Sequence, residues 1–333
     1  MNDFTIRGLV SGGLITNYFC TSRCRHCLYH CSPNREKAYI DPETAEKCFI
    51  RMLELGCRSV HIGGGEPMLR PEHLENVLEV ANQVGIGIDY VETNSSWFKD
   101  PESAIHILER LQVKGLETLL ISISPFHNEF IPFSKVKGVI DAGRKTGMGL
   151  FPWINDFYKD LSIFDPNTTH TFEEFSKKFG KDYLVSTLGR YWVHMGGRAI
   201  ETFRKILPGS SIRKILEDNP GSCKSELSDT THFHMDLFGS YIPGLCSGIG
   251  VEIKDLGKAL PKEKYPVLTT LAALGIRGLY DMASNEYDYQ PKRNLFLNKC
   301  DLCTQIRKFL VTTTSESFKE FVPFNFYSEI SEE

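Results

Sequence analysis

The sequence predicts an α/β fold, with parallel strands joined by crossover helices and a smaller cysteine-containing extension at the C-terminal end. Three observations carry this. Strand-like apolar runs alternate with amphipathic helical segments through the first two thirds of the chain. The helical segments bring their own start and stop residues. Beyond about residue 207 the alternation ends and cysteines recur in its place. The chain therefore divides into an α/β domain, residues 1–207, and a C-terminal domain, residues 208–333.

The elements follow in order. Gly13–Phe19 is the first strand. Asp41-Pro42-Glu43 reads as an N-cap, a proline at the first helical position and an early acid, opening a helix to about Leu55 that Gly56 stops. Arg58–Ile62 is the second strand, and Pro71–Val84 the next helix, stopped by Gly85. The third strand ends in Val91-Glu92-Thr93-Asn94, and the helix Pro101–Val113 stops near Gly115. Leu119–Ser124, a helix over Ser134–Thr146 and a strand over Gly149–Ile154 continue the pattern, and Tyr191–Met195 is a sixth strand candidate. The segment from Pro152 to Pro166 is aromatic and irregular; it lines a substrate mouth or packs an extra helix.

With 333 residues, 41% apolar and 24% charged, the composition is that of an ordinary globular protein. No apolar run is long enough to span a bilayer, and no basic, apolar, small-residue leader opens the chain. A net charge of −4 argues against a nucleic-acid partner held through phosphates. The ten cysteines are clustered, which fits a reducing cytoplasm better than a secreted disulfide framework.

Cys20, Cys24 and Cys27 are the densest of these clusters. Thiolates hold iron–sulfur cubanes, usually four to a cluster, and three on one loop leave one iron open to a further ligand. Zinc is the rival reading. A helical core stripe extended by Cys31 is the bland one, and Arg23, Arg25, His26 and Pro33 speak against it. A second motif, His61-Ile62-Gly63-Gly64-Gly65-Glu66-Pro67, closes the second strand, where glycines let backbone approach a ligand closely.

The Cys-x3-Cys-x2-Cys loop after a first strand, paired with a Gly-Gly-Glu-Pro turn after the second, resembles the radical S-adenosylmethionine (SAM) enzymes. The resemblance implies a partial (β/α)6 barrel with its site at the C-terminal strand ends. It implies a [4Fe–4S] cluster on Cys20, Cys24 and Cys27, and SAM held by Gly63, Gly64, Gly65 and Glu66. It further implies reductive cleavage of SAM to a 5′-deoxyadenosyl radical that takes hydrogen from the substrate. Strand-end polar residues of that family reach the ribose and carboxylate of SAM, which makes Thr93, Asn94, Ser122 and Ser124 cofactor candidates. Ser124 stands where an acid is common. His26 stands where an aromatic usually lies against the adenine.

His127, just past the fourth strand, faces the cavity as a substrate or SAM contact, or is an ordinary loop histidine. Cys31 is a candidate hydrogen-atom donor. Cys48 and Cys57 read as plain core residues. In the C-terminal part, His232–Leu237 with Gly239 and Tyr241 reads as a hairpin, and Cys300 and Cys303 lead into a helix ending near Val311. With Cys223 and Cys246 these resemble the SPASM and twitch auxiliary-cluster extensions, although the match is partial: Gly239 stands farther from Cys246 than in that pattern, and the long cysteine-rich run of a full SPASM domain is missing. One auxiliary [4Fe–4S] cluster is expected, with a structural zinc as the alternative. A peptide or a small metabolite is the expected substrate, and a flavodoxin or ferredoxin the electron donor. The absence of a peptide-recognition domain before Gly13 tilts slightly away from leader-dependent maturases. A zinc-stabilised scaffold on a degenerate barrel is the competing class.

Overall fold

The computed structural model describes residues 4–313 and 318–330. It comprises two compact units: residues Gly13–Cys27 with Cys31–Val193, and residues Met1–Gly12 with Leu28–His30 and His194–Glu333.

The first unit is the alternating one. Its strands are β1 (Gly12–Ile15), β2 (Ser59–Gly63), β3 (Gly87–Thr93), β4 (Thr118–Ser122) and β5 (Gly149–Trp153), neighbours in chain order and all parallel. The crossovers run through α1 (Pro42–Glu54), α2 (Pro71–Val84) and α3 (Pro101–Val113), then the short α4 (Pro125–Asn128) and α5 (Phe133–Thr146). This is a partial barrel of the TIM type.

Each helix follows its sequence signals. Asp41 accepts from the Thr44 amide at 2.9 Å and Asp100 from the Ser103 amide at 2.9 Å, which satisfies orphan donors at the starts of α1 and α3. Gly85 and Gly147 end α2 and α5 in the left-handed conformation. Ala45, Cys48, Phe49 and Met52 share the buried face of α1 at spacings of three and four.

The sixth strand candidate is not a strand. The Tyr191 amide donates to Thr187 O at 2.8 Å, continuing the preceding turn, so it is not free for a ladder. Trp192 is exposed, and Gly197 takes a positive φ.

In the second unit, strands Phe233–Asp236 and Ser240–Ile242 form the expected antiparallel hairpin, pairing His234 with Ile242 and Met235 with Tyr241. Asp236, fully buried, accepts from the amides of Phe238 and Ser240 at 3.0 and 2.9 Å and so fixes the turn at Gly239. A third strand, Val251–Glu252, extends the hairpin. The long helix Pro266–Glu286 packs against the last helix, Lys299–Thr313. The long helix breaks at Gly275, whose φ of 65° and ψ of −154° only glycine adopts readily. Glu320, from beyond the last helix, accepts from the amides of Val267 and Leu268 at 2.7 Å each and caps the long helix.

Candidate active site

The three cysteines sit on a loop that leaves the C-terminal end of β1 and returns at Ser32. The Cys20 amide donates to Ser32 O at 3.1 Å, and Phe19 bridges Ser32, so the base of the loop is closed. Arg25, between Cys24 and Cys27, forks onto Glu129 at 2.8–2.9 Å and lies over the Phe172 ring at 5.2 Å.

The glycine turn is tied to the same loop. The Gly65 amide donates to Asn17 O at 2.8 Å and to Asn17 Oδ1 at 3.0 Å, while Asn17 Nδ2 donates to Glu66 O at 3.1 Å. A Cβ at Gly64 would lie 2.6 Å from Asn17 Oδ1, and one at Gly65 2.0 Å from Phe19 O. Glycine is therefore required because the turn lies directly on the strand that leads to Cys20. Gly63 O accepts from both the amide and the hydroxyl of Thr16.

Glu66 is fully buried and links this turn to the end of β3. It accepts from Thr93 Oγ1 at 2.9 Å, the Met68 amide at 3.1 Å and the Asn94 amide at 2.6 Å. Burial pushes its carboxyl up to about 7 against the pull of those three donors. Asn94 Nδ2 then donates to Cys20 Sγ at 3.3 Å. Thr93 Oγ1 also accepts from Trp97 Nε1 at 2.9 Å. Thr93 and Asn94 thus stand at the site, with their polar atoms engaged in holding Glu66 and Cys20.

His26 lies among the rings of Phe126, His127 and Tyr191, with centroids at 4.6, 5.0 and 5.1 Å, and the Tyr191 hydroxyl is 3.2 Å from its Nε2. Ser124 Oγ pairs with His127 Nδ1 at 2.7 Å, and burial pushes the His127 imidazole down to about 4. Ser122 is half-buried at the end of β4. Cys31 is buried against Cys27: its amide donates to Cys27 Sγ at 3.4 Å, and its thiol, hydrogen-bonded to Cys27, is held well above the ordinary thiol range.

None of the ten cysteines, all of them among the described residues, is in a disulfide. Cys20 Sγ accepts from the Ser22 amide at 3.4 Å as well as from Asn94, but burial outweighs these donors and pushes the thiol up to about 12. Among the described residues no three His, Cys, Asp or Glu side chains converge tightly enough for a single metal ion. A cubane distributes its thiolates over separate irons, so a wider spacing suits a cluster.

The other four cysteines gather in the second unit. Burial and the neighbouring Cys303 push the Cys223 thiol up to about 11, and burial with Cys303 and Cys223 pushes Cys300 up to about 12. Cys246 feels Cys300, Cys303 and Cys223 and is raised as well, first by burial. Two cations flank them. Arg307 is fixed by Ser247 O and Tyr327 Oη at 2.9 Å each, and Lys299 pairs with Glu226. Cys48 and Cys57 are fully buried core residues.

Sequence reasoning missed Asn17, Arg25 and Glu129. A signal existed for Asn17, a polar residue at a strand end three positions before the first cysteine. Arg25 and Glu129 are far apart in sequence, and nothing local pairs them.

A parallel α/β unit with a thiol loop and a glycine turn at its strand ends is the arrangement expected of an iron–sulfur enzyme domain. Residues 14–146 match the model of the radical SAM superfamily. Residues 14–146 thus form a radical SAM domain. Among solved structures it is similar to native anSMEcpe with bound AdoMet, at 18% identity over 90% of this chain and 97% of that one, with a TM-score of 0.45. It is also similar to BtrN in complex with AdoMet and 2-DOIA, at 14% identity, 73% and 74% coverage and a TM-score of 0.38. A third is coproporphyrinogen III oxidase (HemN) from Escherichia coli, at 9% identity, 90% and 89% coverage and a TM-score of 0.33. No curated protein matches the chain. No helix among the described residues is long and apolar enough to cross a membrane.

Proposed function

We propose that Cys20, Cys24 and Cys27 hold a [4Fe–4S] cluster whose open iron takes SAM, and that the chain removes a hydrogen atom from a peptide or small-metabolite substrate. When bound, the cluster supplies one electron to the SAM sulfonium and so yields a 5′-deoxyadenosyl radical. The observation that carries this reading is the lashing of the cysteine loop, through Asn17 and Asn94, to the Gly-Gly-Glu-Pro turn. The chain's own residues then have separate tasks. Asn17 holds the turn on the strand leading to Cys20, and Glu66 joins the ends of β2 and β3. His26, backed by Phe126 and Tyr191, offers a flat face for a purine. His127, neutral and fixed by Ser124, offers a hydrogen bond without a charge.

Cys223, Cys246, Cys300 and Cys303 would hold an auxiliary [4Fe–4S] cluster in a SPASM/twitch-like extension over residues 208–333. Arg307 and Lys299 support a cluster of net negative charge there. The electron donor is proposed to be a small flavodoxin or ferredoxin in the cytoplasm.

Iron, sulfide and zinc analysis with an absorption spectrum, on protein reconstituted without oxygen, tests both sites. About eight irons per chain and bleaching by dithionite are expected. Four irons with one zinc would reassign the second site, and no iron would sink the whole reading. Cys24→Ala should abolish 5′-deoxyadenosine release while leaving the melting temperature nearly unchanged.

A further inference from the structure

One face of the parallel sheet carries several side chains, Glu92 foremost, to which the proposed function gives no task. Side chains alternate along a strand, and paired neighbours share a face. The register sets His61 beside Tyr90, then Glu92 beside Leu120 beside Phe151, then Ser122 beside Trp153. The other face belongs to the helices: Leu150 of β5 reaches Gly143 of α5 so closely that a Cβ there would lie 2.6 Å away.

This inner face is aromatic with one acid in it. His61 lies flat on Tyr90 at 5.2 Å, Tyr90 meets Phe151 edge-on at 6.3 Å, and Phe151 meets Trp153 at 5.9 Å. Gly13 leaves room for His61, since a Cβ there would lie 2.3 Å from its Nε2. The Glu92 carboxylate has His61 Nε2 at 3.9 Å and, among the described residues, no lysine or arginine at ion-pair distance. Its side chain is 41% exposed, so the recess is open to a ligand. Phe151 is 44% exposed on the same face. Tyr191 links this face to the cysteine loop: its ring lies 6.4 Å from that of Trp153, and its hydroxyl lies 3.2 Å from Nε2 of His26.

We infer that Glu92, walled by Tyr90, Phe151 and Trp153, receives a cationic group of the substrate, an amine or a guanidine. The inference rests on the radical SAM reading above and adds the substrate's chemistry to it. A carboxylate among aromatic faces is the complement of an organic cation, which gains the ion pair and the ring quadrupoles together. A second carboxylate would meet repulsion there.

The test uses iron-reconstituted protein with SAM, titrated by calorimetry with N-acetyl-arginine amide, N-acetyl-lysine amide, agmatine and the uncharged N-acetyl-citrulline amide. At least one cationic probe is expected to bind ten-fold or more tighter than the citrulline probe. Glu92→Gln should erase that preference, and Glu92→Asp, which keeps the charge, should retain part of it. Tighter binding of agmatine than of N-acetyl-arginine amide would point to a small amine, and the reverse to a peptide side chain. Equal affinity for charged and uncharged probes, or no measurable binding of the cations, overturns the inference. If the wild-type protein releases 5′-deoxyadenosine with dithionite yet shows no preference, only this inference fails. Absence of release removes the enzymatic reading and this inference with it.

Discussion

At the residue scale, the site depends on a few side chains that hold backbone in place. Asn17 makes three hydrogen bonds to the glycine turn, two through its side chain and one through its carbonyl. Asn17→Ala takes the donor from the buried Glu66 O, while the Gly65 amide keeps the Asn17 carbonyl, and should cost about 1–3 kcal/mol in denaturant unfolding. The same variant should load less iron, since the turn and the cysteine loop lose their tie. Arg25→Leu should likewise slow cluster reconstitution, measured as the rise of the iron–sulfur absorbance, because the loop between Cys24 and Cys27 loses its anchor on Glu129. His127 gives a pH dependence. Burial lowers its folded pKa to about 4 from 6.5, so between these values the unfolded chain binds more protons than the folded one. Stability therefore falls as pH falls through that window. From pH 7 to pH 5 the loss is about 1 kcal/mol, allowing for the ring's partial exposure, and His127→Gln should remove it.

At the element scale, helix signals and helix positions agree because capping is local. Asp41, Asp100, Gly85 and Gly147 act within one turn of themselves, so a linear reading finds them. The long helix of the second unit is different. Its kink at Gly275 brings the chain against Gly221 O, which a Cβ would approach to 2.2 Å. Gly275→Ala should destabilise by about 2 kcal/mol or more, from a strained backbone and a clash together, and thermal melting would show it. Its cap, Glu320, lies 53 residues from Val267, too far for any local motif to announce. The failed sixth strand shows the same limit from the other side. Tyr191–Met195 has a strand-like composition, yet the Tyr191 amide is already bonded to the turn before it.

On the scale of the whole molecule, each compact unit carries one group of thiols proposed to hold a cluster, and the two should be separable by substitution. Cys303→Ala should lower the iron count by about four while leaving some 5′-deoxyadenosine release, uncoupled from product. Retention of full iron content in that variant would show that Cys303 is not a ligand. The units do not follow a single cut in the sequence: residues 28–30, directly after Cys27, belong with the C-terminal unit, where Tyr29 Oη meets His234 Nδ1 at 2.8 Å.

The sequence by itself determined the class. The α/β alternation, the cysteine triplet and the glycine turn are short-range patterns, each readable because its spacing encodes its geometry. Tertiary structure alone decided how the parts are joined. Asn17 to Gly65, Arg25 to Glu129 and Asn94 to Cys20 span between 48 and 104 positions and exist only once the strands are in register. It alone also set Glu92 among aromatic rings. That neighbourhood comes from the pairing of three strands, and pairing depends on which chain segments meet, which no local stretch records.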